Sequence, residues 1–245
     1  MHELALPVEL EQQIVNGIMK GEQNYLQMRL RENPNLIVSN GLSWARGNYI
    51  DTYVGKETET NSKVTYNIAK AGYAWGYLQF AYAQSERNKS LIFVKNIRTI
   101  GPQFNGSSTN ISDYINEYAG INNHLVNNGK LEGRGINGSF QMELLPSKSM
   151  IDSNDVDRFY IVTYDHDEGG QLSKIILTMP NQRTNKLFQV EDLSELMNNS
   201  GIEFNDDELN VAGDNNSNIP DAVYGQQKYS FEVPTTQTEQ SKKEG

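Results

Sequence analysis

The chain has no cysteine. Disulfides, thiolate nucleophiles and thiolate metal sites are therefore excluded. Histidine is nearly missing too: His2, His124 and His166 are the whole supply, and no two of them stand at His-x-x-x-His or His-Glu-x-x-His spacing. A zinc enzyme or a histidine-dependent hydrolase has little to draw on. No apolar run approaches the roughly 18 residues of a membrane span, and no charged-then-apolar leader opens the sequence. No membrane association and a cytoplasmic location are the expectations.

Positive charge is short as well. Lysine and arginine number 21 against 31 aspartates and glutamates, a net charge of −10. Binding to nucleic acid depends on neutralising phosphates, so a general nucleic-acid coat is disfavoured and a protein partner is the better expectation. Half of the excess lies past Asn205, where eight acids face three lysines in a run of Asn, Asp, Gly, Gln and Thr. That composition buries too little to fold by itself and reads as a largely disordered tail. Within it, "YSFEV" (Tyr229–Val233) alternates like a strand or partner-binding stretch.

Periodicity divides the rest. Val8, Ile14, Val15, Ile18 and Met19 fall at helical spacing after Pro7, and Gly21 suits a stop before a second short helix through Tyr25, Leu26, Met28 and Leu30. Leu42, Ala45, Tyr49, Ile50, Tyr53 and Val54 repeat helically. The period then changes to two. "KVTYNIA", "YAWGYLQFAYA" and "SLIFVKNI", joined by short polar links, read as an antiparallel meander. Ile111, Ile115, Tyr118, Asn122 and Leu125 recur as a helix, with Asn110 and Asp113 at capping spacing and Gly129 as a stop. Further strands are expected at 139–145, 158–164 and 172–179, then an edge segment "NKLFQV" and a short helix "DLSELM". The expected fold is α+β: a helical N-terminal segment (1–38), an α+β domain (39–204) in which a helix packs on one antiparallel sheet of about six strands, and an acidic tail (205–245).

Few segments look like chemistry. Gly133, Gly135 and Gly138 spell G-x-G-x-x-G. A dinucleotide loop needs a strand before the glycines and a helix after them, whereas here a helix stop precedes and the strand-like "SFQMELL" follows. A flexible connection is the better reading. Asp165, Asp167 and Gly170 match three positions of a calcium loop, but Gly169 and Ile176 stand where two further ligands belong. A hairpin turn explains the same letters, which leaves Asp165 and Asp167 weak metal candidates and, with Glu168, an acidic edge suited to a basic partner surface. His166 falls at the tip of that hairpin.

A Mg²⁺-dependent nuclease needs one acid and then an acid-x-lysine on a strand, to hold the ion and activate water. Asp51, Glu57 and Glu143 are the available acids, and neither Lys63 nor Lys148 stands two residues beyond one of them. Trp75 and Tyr77, in the aromatic run from Tyr73 to Tyr82, could form a stacking or packing surface, but no basic residue is interleaved between Gly72 and Glu86. Trp44 and Arg46 near Asp51 and Tyr53 could form a polar cluster. No catalytic residue is assigned on the main reading.

"SWARGNYIDTYV", "SLIFVKN" and "SDYINEYAGINNHL" occur in an order that resembles small uncharacterised proteins of low-GC Gram-positive bacteria and their prophages, over roughly residues 40 to 200. The resemblance implies an accessory, phage-linked role and supplies no catalytic residue. The expectation is a non-enzymatic binding protein, such as an inhibitor or regulator of a host protein, without a cofactor. The alternatives are a degenerate Mg²⁺-dependent nucleic-acid enzyme and a structural phage protein.

Overall fold

A computed structural model describes residues 3–71, 75–86, 88–104, 113–131 and 156–213. The architecture is α+β. Helices α1 (Val8–Glu32) and α2 (Arg46–Thr58) lead into strands β1 (Val64–Ala71), β2 (Trp75–Ser85) and β3 (Asn88–Asn96). Three short helices follow, α3 (Ile97–Ile100), α4 (Asp113–Ala119) and α5 (Asn123–Asn127). Strands β4 (Arg158–His166), β5 (Leu172–Asn181) and β6 (Lys186–Asp192) complete the sheet, and α6 (Asp206–Gly213) closes the described chain.

The six strands lie in chain order, β1 to β6. The sheet is mixed where a wholly antiparallel one was expected: β3 and β4 run parallel, with Leu91 opposite Phe159 and Val94 opposite Val162, while every other pairing is antiparallel. A parallel pair needs a crossover connection, and the long segment holding α3, α4 and α5 supplies it. Period-two alternation cannot reveal this, because it marks strand faces and carries no direction.

Both faces of the sheet are covered. Ile14, Val15 and Ile18 of α1 and Ile50 and Val54 of α2 pack on Phe80, Ile92, Val94, Tyr160, Val162 and Leu177. On the other face, Ile100, Phe104, Ile115 and Tyr118 meet Leu91, Phe93, Phe159 and Ile161. That explains why "LIFV" in β3 is apolar without alternation, since a strand in the middle of three layers has no wet face.

Helix α1 is one helix of 25 residues, not two helices stopped at Gly21. Gly17 and Gly21 are one helical turn apart on the same face, and there α2 crosses. A Cβ on Gly17 would lie 2.4 Å from the Val54 Cα, and one on Gly21 2.5 Å from the Ile50 Cα. The glycines are there for close approach of two backbones.

The helix expected through Ile111–Leu125 is interrupted at Gly120–Asn122. The cause is Asn122, which is fully buried. Its side chain donates to the carbonyls of Phe159 and Pro180 (2.9 and 3.1 Å) and accepts from the Phe159 N–H at 2.9 Å. Satisfying those backbone groups outweighs continuing the helix. Gly129 ends the segment at φ 67°.

Residues 206–213, expected to belong to a largely disordered tail, form α6. Asn205 and Glu208 cap it reciprocally: the Glu208 N–H donates to Asn205 Oδ1 at 2.9 Å and the Asn205 N–H to Glu208 Oε2 at 3.0 Å. Val211 and Ala212 then pack on Tyr25, Leu26 and Met28 of α1. The tail beyond Gly213, the strand expected at 139–145, the glycine motif of Gly133–Gly138 and the Asn110 cap lie outside the described residues.

Candidate functional site

Two buried charged centres stand at the edge of the sheet where the parallel strands β3 and β4 end. Ligands of open α/β sheets gather at the carboxyl ends of parallel strands, so this edge is the first place to look for chemistry.

The first centre lies where β2 and β3 part. The two strands pair from Phe80 opposite Ile92 onward, whereas Trp75–Gln79 pair with β1 alone. Leu78 therefore has an amide that β3 does not reach. Asp51, projecting from α2 and 9% exposed, fills the gap: its Oδ2 accepts the Leu78 N–H at 2.9 Å. On the other face of the sheet, the ammonium of Lys95 of β3 sits 4.1 Å from the centre of the Tyr77 ring. Burial pushes the Asp51 carboxyl up to about 6, opposed by Lys95 and by the Leu78 hydrogen bond. Burial lowers Lys95, opposed by Asp51. Around them, Gln79 Nε2 donates to the hydroxyls of Tyr77 (2.9 Å) and Tyr118 (3.0 Å).

The second centre joins α1, α2 and the end of β4. Glu22 Oε1 lies 3.4 Å from Arg46 Nη2, and Glu22 Oε2 lies 3.3 Å from His166 Nε2. The Arg46 guanidinium stacks over Tyr25 at 4.6 Å. Burial of Glu22 works against its charge, but Arg46, His166 and Arg29 together outweigh it and hold the carboxylate below its usual range. A small, partly open cavity beside Glu22 is lined by Leu26, Gln171, Leu172, Phe204, Leu209 and Ala212.

The residues singled out from sequence are scattered over these features. Asp51 is central to the first centre. Glu57, on the same helix, pairs with Lys20 of α1, and Glu143 lies outside the described residues. Tyr77 is buried, meeting Phe93 edge-on at 5.2 Å, so it faces the core and not a partner. Trp75 pairs through its backbone with Ala71. Asp165 accepts from Arg98 Nε at 2.9 Å, and Asp167 Oδ1 accepts the Gln171 N–H at 2.9 Å, holding the turn. Gly170, at φ 76°, supplies the left-handed residue of that turn. Glu168 projects from the tip into solvent. Among the described residues, no group of three or more Asp, Glu or His stands where it could hold a metal. The described part of the first centre does not fit Mg²⁺, because one carboxylate already bonded to an amide faces an ammonium. The place two residues before Lys95, where an acid-x-lysine needs its acid, holds the fully buried Phe93.

His166 corrects the sequence reading. It is the last residue of β4 and its side chain is 3% exposed, because it continues the inward face of Tyr160, Val162 and Tyr164 and meets the Tyr164 ring edge-on at 5.7 Å. Glu22, Arg29, Arg46, Lys95 and Glu208 were also missed as interior charges. Glu208 had a signal, the Asn-x-x-Glu spacing from Asn205. The others had none, since a charge on a helix face or strand end looks the same whether it meets water or a partner.

Among the described residues, no helix is long and apolar enough to cross a membrane. No family model, curated protein or solved structure matches the chain at a significant level.

Proposed function

We propose that the chain is a non-enzymatic accessory protein that works by binding another macromolecule, a protein in preference to nucleic acid. The role of an inhibitor or regulator of a host protein, in the phage-linked setting its resemblance implies and the cytoplasmic location expected from its composition, fits that reading. The observation that carries it is the connection between α1 and α2. Leu36, Ile37 and Val38 stand in a row on this loop, Ile37 at 104% and Val38 at 76% exposure, and the half-exposed Trp44 follows within the next turn. Isolated surface hydrophobics are ordinary, but large apolar side chains gathered on one exposed segment mark interaction sites. The acids of the β4–β5 hairpin contribute less, since Asp165 and Asp167 already have partners within the chain and only Glu168 of the three projects freely.

The test is a tagged capture from a Gram-positive host lysate, with and without nuclease, comparing wild type with Ile37→Asp/Val38→Asp. A stoichiometric protein that survives nuclease and is lost with the double variant supports the reading. Loss of every partner on nuclease treatment contradicts it, and polymerisation at modest concentration favours a structural phage protein.

A second reading is the Mg²⁺-dependent nucleic-acid enzyme, which would use Asp51 and the nearby Lys95 although the described residues of this centre do not by themselves fit the ion. An acid and a lysine converge there although no spacing in the sequence pairs them. That reading needs a further carboxylate from outside the described residues, with Glu143 the candidate. Divalent-dependent cleavage of nucleic acid, abolished in both Asp51→Asn and Lys95→Ala, would establish it.

A further inference from the structure

We propose that the outer edge of β1 pairs with the same edge of a second copy of the chain, antiparallel about a twofold axis at Asn67, joining two six-stranded sheets into one. The surface is separate from the Leu36–Val38 loop, and the proposal does not rest on the binding reading.

Strand β1 stands at the end of the sheet, and among the described residues no strand pairs with its outer side. The ladder with β2 shows which groups point outward. The Ala83 N–H donates to the Lys63 carbonyl at 2.8 Å. Alternation along an antiparallel pair then turns Thr65, Asn67 and Ala69 toward β2 as well. Tyr66, Ile68 and Lys70 therefore direct their backbone N–H and C=O groups away from the sheet. Natural edges are guarded by bulges, prolines, charges or short length. Here the pairing with β2 runs unshifted from Val64 to Ala71 and the strand has no proline. On its α2-facing side, Ile68 is 75% and Tyr66 41% exposed.

This edge is complementary to itself. Full overlap of two antiparallel β1 strands centres on Asn67. It sets Tyr66 opposite the partner's Ile68, Ile68 opposite the partner's Tyr66, and Thr65 opposite the partner's Ala69. Tyr66 and Ile68 exchange backbone bonds in that register, and an aromatic facing a β-branched residue is a favourable cross-strand pair. Charge agrees. Lys63 and Lys70 are the only charges between Glu59 and Glu86, and edge lysines ordinarily deter pairing. In this register no lysine stands opposite a lysine. Lys70 faces the partner's Val64 and lies diagonal to the partner's Tyr66, and the Tyr66 hydroxyl of each copy donates to its own Glu59 at 2.8 Å. The lysine of one copy thus approaches the glutamate of the other. Such a contact closes at two copies, whereas a head-to-tail contact polymerises.

The experiment is sedimentation of the full chain over a range of concentrations, with β1 amide exchange read by NMR in the same samples. The mass is expected to rise with concentration from 27.7 kDa toward twice that value. The amides of Tyr66, Ile68 and Lys70 are expected to slow about tenfold as it does, while those of Thr65, Asn67 and Ala69, already bonded to β2, change little. Ile68→Pro removes an outward N–H and no bond to β2, so it should stay at the single-chain mass with its other β1 and β2 amides still protected. Lys70→Glu leaves the backbone intact and should weaken association about fivefold, and Glu59→Lys with Lys70→Glu should restore it. A wild-type chain that stays monomeric overturns the proposal, as does a dimer that survives both Ile68→Pro and Lys70→Glu. Outward amides that are slow at every concentration overturn it in favour of a segment of the same chain on the edge. A monomer whose outward amides slow only in host lysate overturns it in favour of an outside strand.

Discussion

The Asp51 carboxylate takes the place of a strand carbonyl, accepting the Leu78 N–H at 2.9 Å where β2 and β3 separate. One buried acid thus closes an open hydrogen-bond position in the sheet and faces Lys95 from across it. That double duty defines what its replacements do.

Asp51→Ala leaves the amide without an acceptor and Lys95 without its counter-charge. Leaving a buried amide without its acceptor costs about 1–3 kcal/mol, so urea unfolding should show a loss of that order. Asp51→Asn keeps an oxygen for the amide and should lose less.

Stability should fall as pH rises above mildly acidic values. Asp51 sits at about 6 against an ordinary 3.8, and Glu11, raised by burial and by Glu191, at about 7 against 4.5. A carboxyl raised in the folded state adds stability that is complete below its ordinary value and is lost as pH climbs through the folded one. Glu22 is held low, so its contribution is present above the ordinary glutamate value and is lost on further acidification. The two trends bracket a maximum near about pH 5. Urea midpoints should drop from there to about pH 7 and level off, and Asp51→Asn with Glu11→Gln should flatten the slope.

Glycine substitutions should split by position. Gly17→Ala and Gly21→Ala put a methyl within 2.4–2.5 Å of α2 backbone atoms, and each should cost about 1–3 kcal/mol or more by forcing the helices apart. Gly47→Ala, also helical but with nothing within 4 Å, should gain roughly 0.5–1 kcal/mol from helix propensity. Thermal melts of the three variants read the contrast.

Glu22→Gln strips Arg46 and His166 of their shared anion and should be strongly destabilising. Glu22→Leu/Arg46→Met removes the acid and one cation together and should recover part of that loss. A double variant no more stable than Glu22→Gln would show that His166 and Arg29, not Arg46, depend most on the acid.

The strands were legible because burial imprints a period, and β4, β5 and β6 fall where alternation put them. The parallel pairing of β3 with β4 left no mark, since side-chain alternation is the same in either direction. Gly21 was ambiguous in kind: a glycine that ends a helix and one that admits a second helix are the same letter, and only the Val54 and Ile50 backbones decide. The site was legible in one residue, Asp51. Lys95 comes near it by strand register, 44 positions away in the chain, and in the second centre His166 extends the inward face of Tyr160, Val162 and Tyr164 past the point where the hairpin was expected to turn. The apolar row Leu36–Val38 was visible as letters, but its exposure follows from how α1 and α2 pack.

The most direct measurement is photo-crosslinking from a reactive residue placed at Ile37, in nuclease-treated host lysate, with the same group at exposed Lys174 on β5 as control. The account predicts a discrete protein adduct from position 37, absent from position 174. Adducts of equal pattern from both positions, or none from position 37 alongside divalent-dependent cleavage of nucleic acid that Asp51→Asn abolishes, would contradict it.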